Sequence, residues 1–262
     1  MDDHQSLLNI KGLTKDFRGL RAMDNIDLTV GGHEILGVIG PNGAGKTTLF
    51  NVITSLLSAT HGSIQFLEKD ITRLTPDAIA RLGIARTFQN IRLFDAMSVL
   101  DNVRVAQQMH VPRDSFNTLL STPIFLKQEK EIQEQAMALL NTFHLTHYWK
   151  HPASSLPYGD QRRLEIVRAL ATQPRLLLLD EPTVGMNPSE SQALLLLIQE
   201  IFDNHDLSII LVAHDMQLVM NLCQRIQVLN QGKTIALGTP AVVRNLPQVI
   251  EAYLGSTEYA QN

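Results

Sequence analysis

Gly40-Pro41-Asn42-Gly43-Ala44-Gly45-Lys46-Thr47-Thr48 decides how this chain is read. The residues before it, Glu34 to Ile39, are short and rich in branched apolar types, which predicts a strand. The residues after it, Lys46 to Leu57, predict a helix. Glycine at 40, 43 and 45 lets the backbone wrap closely, so that successive N–H groups point inward at an anion. A helix starting at Lys46 adds partial positive charge at its N-terminus. Strand, G-x-x-x-x-G-K-[ST] and helix together form a phosphate-binding loop. On that reading Gly40, Pro41, Asn42, Gly43, Ala44 and Gly45 cradle a nucleotide's phosphates. Lys46 reaches the β- and γ-phosphates, Thr47 holds Mg²⁺, and Thr48 caps the helix or touches the α-phosphate.

A second stretch completes the chemistry. Leu176-Leu177-Leu178-Leu179-Asp180-Glu181 is an apolar run ending in two acids. A buried parallel strand delivers its last side chains to the sheet edge where ligands bind. Asp180 is then placed to hold Mg²⁺, directly or through water. Glu181, one residue on, is placed to polarise an attacking water. Phosphoryl transfer needs a cradle, a metal and a positioned nucleophile, and these two stretches supply all three.

Working outward, strands are predicted at Leu7 to Ile10 and Asn25 to Val30, and a helix at Pro76 to Leu82 with Thr75 as its N-cap. Val99 to Phe143 reads as helical, with Ile132, Ala136, Leu139, Leu140 and Phe143 on one face. Beyond Leu176, strands and helices alternate: helix Ser189 to Phe202, strand Ser208 to Val212, helix Met216 to Leu222. Ile226 to Asn230 and Lys233 to Leu237 flank Gln231-Gly232, a hairpin signal. The predicted fold is α/β with a parallel sheet, an antiparallel piece and a helical insertion.

Composition narrows the function. A net charge of −4 gives no global basic field for nucleic acid. The single cysteine, Cys223, excludes an intrachain disulfide. No run reaches the roughly 20 apolar residues needed to span a bilayer. Met1-Asp2-Asp3-His4 lacks an apolar leader. A soluble protein is expected, serving a membrane only through partners.

Four further stretches carry a family resemblance. They are Arg86-Thr87-Phe88-Gln89-Asn90, Leu156-Pro157-Tyr158-Gly159-Asp160-Gln161-Arg162-Arg163, Gly185-Met186-Asn187-Pro188 and Val212-Ala213-His214-Asp215. In order and spacing they resemble the ABC ATPases, from about residue 8 to 255. Leu-x-Tyr-Gly-x-Gln-Arg-Arg-Leu-Glu-Ile, Gly-x-Asn-Pro and Val-Ile-Glu-Ala-Tyr-Leu-Gly resemble, within that family, the LivG type that serves branched-chain amino acid transport.

The resemblance implies one cassette over about 6–255, with a RecA-like ATPase core. Residues 6–90 and 174–240 would form the core with an N-terminal antiparallel β subdomain. Residues 91–173 would form an inserted helical subdomain, and 241–262 a tail. It implies ATP and Mg²⁺ as cofactors. It implies a second cassette, transmembrane permease subunits and, indirectly, a periplasmic or extracellular solute-binding protein as partners, at the cytoplasmic membrane face. Gln89 would touch Mg²⁺ or the lytic water and sense the permease. Ile91, Leu93, Phe94 and Met97 would line the permease groove or else belong to the core. Tyr158, Gly159 and Asp160 would open a helix, Gln161 to Ala171, that closes on the partner's ATP. His214 would contact the γ-phosphate, and Phe17 would stack on adenine.

The sequence departs from the family's common Leu-Ser-Gly-Gly-Gln: Pro157 stands for Ser, Tyr158 for Gly and Asp160 for Gln. Proline has neither hydroxyl nor N–H, so backbone N–H groups around Gly159 must carry the contact. Asn187 stands for the usual Asp. Two other readings remain: a soluble ABC ATPase acting on DNA or ribosomes, and a non-catalytic ATP sensor. His144, His147 and His151 lack an acid or cysteine to complete a zinc pattern.

Overall fold

The computed structural model describes residues 6–110, 123–213 and 216–254. They form two units. The first takes up Met1–Arg86, Arg175–Pro182 and Ile198–Asn262, and the second Thr87–Pro174 and Thr183–Leu197.

The first unit holds two sheets. Strands β1 (Ser6–Phe17), β2 (Leu20–Gly31), β4 (His61–Phe66) and β5 (Lys69–Asp70) make an antiparallel sheet in the order β2-β1-β4-β5. The other strands are β3 (Ile35–Ile39), β6 (Ile84–Arg86), β7 (Leu176–Asp180), β8 (Ser208–Val212), β9 (Arg225–Asn230) and β10 (Lys233–Gly238). Their order is β10-β9-β3-β8-β7-β6, parallel except for the β9-β10 hairpin. Every residue of β3, β7 and β8 is buried. That is why they read as unbroken apolar runs rather than alternating ones: helices and sheet cover both faces of a parallel strand.

Helix α1 (Lys46–Ile53) joins the sheets through one core. Its Leu49, Phe50 and Ile53 pack with Leu36, Val38, Leu178 and Ile210 of the parallel sheet and with Leu8, Leu13 and Val30 of the antiparallel one. The helix stops four residues short of the predicted Leu57. Ser55 turns left-handed (φ 55°), and the Leu57 N–H bonds back to Asn51 O. Helix α2 (Pro76–Arg81) starts after Thr75, which occupies the N-cap position without a side-chain cap bond.

The second unit is helical: α3 (Val99–Gln107), α4 (Pro123–Thr142) and α5 (Tyr158–Leu170). Ala136, Leu140 and Phe143 are buried, Ile132 and Leu139 partly so, as the periodicity predicts. Helix α6 (Pro188–Asn204) begins in this unit; α7 (Met216–Leu222), α8 (Pro240–Val243) and α9 (Pro247–Leu254) belong to the first. Among the described residues no helix is long and apolar enough to cross a membrane.

Candidate nucleotide site

The sheet register assembles the first unit's site. Val38 pairs with Val212, and Val212 with Asp180, so the three lie in one row across β3, β8 and β7. Two strand spacings, about 9.5 Å, separate Val38 from Asp180. The phosphate loop leaves β3 just past that row. Asp180 ends β7, and Ala213 follows β8, all at the C-terminal sheet edge. His214 lies outside the described residues.

The loop is clamped from below. Ala44 O accepts the Gly232 N–H at 3.1 Å, from the tip of the β9-β10 hairpin. Gly40 has φ 153°, and a Cβ there would fall 2.1 Å from Leu229 O. Any other residue would push the loop off β9, so glycine is required by close approach. Above, the loop is open: Asn42, Gly43 and Thr47 are exposed, and a Cβ on Gly43 would meet nothing. Lys46 is 5% exposed, and its Nζ donates to Gly40 O at 2.6 Å and Pro41 O at 3.1 Å. Leu49 N–H is bonded to Gly45 O, so the N–H groups ahead of it lie in the helix turn that has no intrahelical acceptors. A buried ammonium beside a ring of backbone donors fits a chain of phosphates. An exposed Thr47 hydroxyl and a carboxylate at Asp180 are hard oxygen donors of the kind Mg²⁺ takes.

Asp180 is held by a residue to which the sequence reading gave no role. Arg86, at the end of β6, donates Nη2 to Asp180 Oδ2 at 2.8 Å and Nη1 to Asn51 Oδ1 at 2.7 Å. Its guanidinium also lies 5.4 Å from the Phe50 ring. Arg86 therefore ties Asp180 to α1, the helix that begins with Lys46. Burial pushes the Asp180 carboxyl above the usual range; the Arg86 hydrogen bond and charge oppose that shift. An acid at the end of a buried strand calls for a cation, but one sequence cannot say which arginine supplies it.

Glu181 is 6% exposed and has a left-handed backbone, φ 49°, with its N–H on Val212 O at 2.8 Å. A non-glycine residue there carries strain of ~1 kcal/mol or more, and such strain clusters at functional positions. Phe17 ends β1, 38% exposed, with Lys15 Nζ 5.0 Å from its ring centre. Ala22 O of β2 would lie 3.0 Å from a Cβ on Gly45, so this sheet flanks the phosphate loop.

The second unit carries the other expected residues. Helix α5 begins at Tyr158, three residues earlier than the predicted Gln161, with Pro157 as its N-cap residue. Pro157 has a fixed φ and no N–H to leave orphaned at that boundary. Tyr158, Gly159 and Asp160 thus form the first helical turn. Tyr158 packs on Gly185 (φ 80°): a Cβ on that glycine would sit 2.8 Å from the ring. Gln89 is exposed. Ile91 and Leu93 are partly buried, Phe94 is 47% and Met97 39% exposed, so none of the four is core. His144, His147 and His151 are exposed, the latter two packing on Tyr148.

Asn187 has a structural role the sequence reading missed. Its Oδ1 accepts the Glu190 N–H at 2.9 Å, and Glu190 Oε2 accepts the Asn187 N–H at 3.0 Å. This is a reciprocal capping box at the start of α6, with Pro188 at the first helical position. Asn caps as well as Asp does, which accounts for the neutral residue here. Asn187→Ala is expected to cost about 1 kcal/mol, read from the urea midpoint at unchanged slope.

Comparison with known proteins agrees with this geometry. Residues 23–184 match the family model of ABC transporters, and residues 233–259 that of the branched-chain amino acid ATP-binding cassette transporters. The chain is 46% identical, over 96% of its length and 98% of the relative's, to the high-affinity branched-chain amino acid transport ATP-binding protein LivG of Salmonella typhimurium. It is 43% identical to BraF of Pseudomonas aeruginosa, a protein of the same description, over 95% and 98% of the two chains. Among solved structures, an ATP-binding cassette of an ABC transporter in its ADP conformation superposes with a TM-score of 0.83 at 30% identity, over 96% of this chain and all of that one. The chain belongs to the ABC transporter family, as one of its ATP-binding and ATP-hydrolysing cassettes.

Proposed function

We propose that this cassette drives import of branched-chain amino acids, working as a pair with a second cassette beneath transmembrane permease subunits at the cytoplasmic membrane face. The observation that carries the chemistry is the row Val38-Val212-Asp180, which brings the phosphate loop, Asp180 and Glu181 to one sheet edge. The substrate class rests on the LivG and BraF relatives and on the C-terminal match at 233–259.

Within the site, Lys46 and the N–H groups of Gly43 and of Gly45 to Thr48 hold the phosphates. Thr47 and Asp180 would hold Mg²⁺, Gln89 would touch that ion or the lytic water, and the ion would neutralise phosphate charge and orient the phosphates. Glu181 orients and polarises the attacking water, and His214 contacts the γ-phosphate. Phe17 offers its exposed face to adenine. Tyr158, Gly159 and Asp160 present the first turn of α5 to the partner cassette's nucleotide. Arg163 Nη1 lies 3.5 Å from Asp160 Oδ1 and offsets the charge of that acid. Exposed Phe94 and Met97 suit contact with an apolar permease segment. A helical lobe over 91–173 then joins permease contact to nucleotide contact.

Purification of the intact membrane complex in detergent tests this. Permease subunits are expected with the cassette, and leucine, isoleucine or valine with the associated solute-binding protein. A binding protein carrying urea, a short amide or another amino acid would move the substrate assignment. Failure to recover any membrane subunit would overturn the transport role.

A further inference from the structure

Residues 88–92 belong to no strand or helix, yet charged side chains from α5 hold their backbone. Arg162 is wholly buried. Its Nη1 donates to Phe88 O at 2.6 Å and to Glu165 Oε2 at 2.8 Å. Its Nη2 donates to Gln89 O at 2.7 Å and to Tyr158 Oη at 3.2 Å. Glu165, 4% exposed, accepts the Phe88 N–H at 3.2 Å and the Arg92 N–H at 3.3 Å on Oε1. The pair therefore clasps the Gln89 segment from both sides and links it to the residue that opens α5.

A second clasp follows. Asn102, fully buried in α3, accepts the Phe94 N–H at 2.9 Å and donates to Phe94 O at 3.1 Å and Ser98 O at 3.0 Å. Asn102 thus ties the backbone of the exposed loop with Phe94 and Met97 to α3.

Burying two charges costs free energy that a well-packed apolar pair would not, so stability alone gives no reason for Arg162 and Glu165. What an apolar pair lacks is the means to fix two carbonyls and two N–H groups of an irregular segment. A guanidinium fork can take Phe88 O, Gln89 O and Glu165 together; no other side chain has that geometry.

We propose that Arg162 and Glu165 are positioning residues for hydrolysis, fixing the backbone at Gln89 to the first turn of α5. The idea rests on the proposed role of Gln89. It makes the separation between Gln89 and Tyr158 a rigid distance, so displacement of one is displacement of the other.

The test is the double variant R162M/E165L in the full chain, with melting temperature, KM for ATP and kcat as readouts. The apolar pair removes the cost of burying two charges but leaves Phe88 O, Gln89 O and two N–H groups to water, so the melting temperature is expected to fall by only a few degrees. KM should change less than about twofold, while kcat falls about tenfold from misplacement of Gln89. A parental kcat would overturn the proposal, because a merely structural pair is replaced by packing. Should the double variant fold poorly, R162K keeps charge and burial but loses the fork; parental kcat there overturns it equally. Gln89→Ala run alongside separates the two readings. Parental kcat in Gln89→Ala refutes the role of Gln89. Reduced kcat there, with parental kcat in the double variant, refutes the pair alone.

Discussion

Glu181→Gln is expected to lower ATP turnover by about a hundredfold or more while ATP still binds. The exchange keeps shape and hydrogen bonding and removes only the negative charge that, in the proposed role, would draw a proton from water. Gln tolerates a left-handed backbone about as well as Glu, so the φ of 49° and the bond to Val212 O persist. The phosphate loop is untouched, so affinity should stay close to parental. Phosphate release gives the rate and calorimetry the affinity. Parental turnover would remove Glu181 from the chemistry. Glu181→Gly supplies a second view: it relieves the backbone strain, so stability should hold or rise while turnover is lost.

Lys46→Ala is the second large effect: ATP affinity should fall roughly 10- to 100-fold, the loss of one charge-assisted contact worth about 1.5–3 kcal/mol. The consequence is wider than one missing phosphate contact. Nζ also bridges Gly40 O and Pro41 O from inside the loop. Alanine leaves those carbonyls without their ammonium, so the loop loses shape as well as charge. Arginine is no remedy, because a planar fork does not fit where a compact ammonium lies 5% exposed. Titration calorimetry with MgATP reads the effect; unchanged affinity would contradict the cradle.

Much of this was legible in the sequence because the deciding features are local. The phosphate loop, the run Leu176 to Asp180 and the strand Ser208 to Val212 each announce themselves by composition alone. Gln231-Gly232 announced its hairpin, and both residues are left-handed, at φ 48° and 76°. The β4-β5 hairpin has the same two-residue geometry at Leu67 and Glu68, φ 50° and 64°. Neither residue type signals such a turn, and β5 is two residues long, so sequence gave no cue. β6 was missed for a like reason: three residues carry no period. The roles of Arg86 and of the Arg162–Glu165 pair were invisible because the partners that decide them lie 73 to 94 residues away. A buried charge is decided by what faces it across the fold.

The β3 strand, at residues 35–39, lies between β8 and β9, and Gly232 closes the loop that follows it. On a ribosome adding roughly 5–20 residues per second, β3 therefore waits on the order of ten to thirty seconds for its first sheet neighbour. Through that interval Ile35 to Ile39 is an apolar edge without a partner, the state in which nascent chains associate wrongly. A truncated chain ending before β9 would carry the whole phosphate-binding motif yet lack the scaffold that gives it shape. Such a fragment should depend on chaperones and hold no nucleotide.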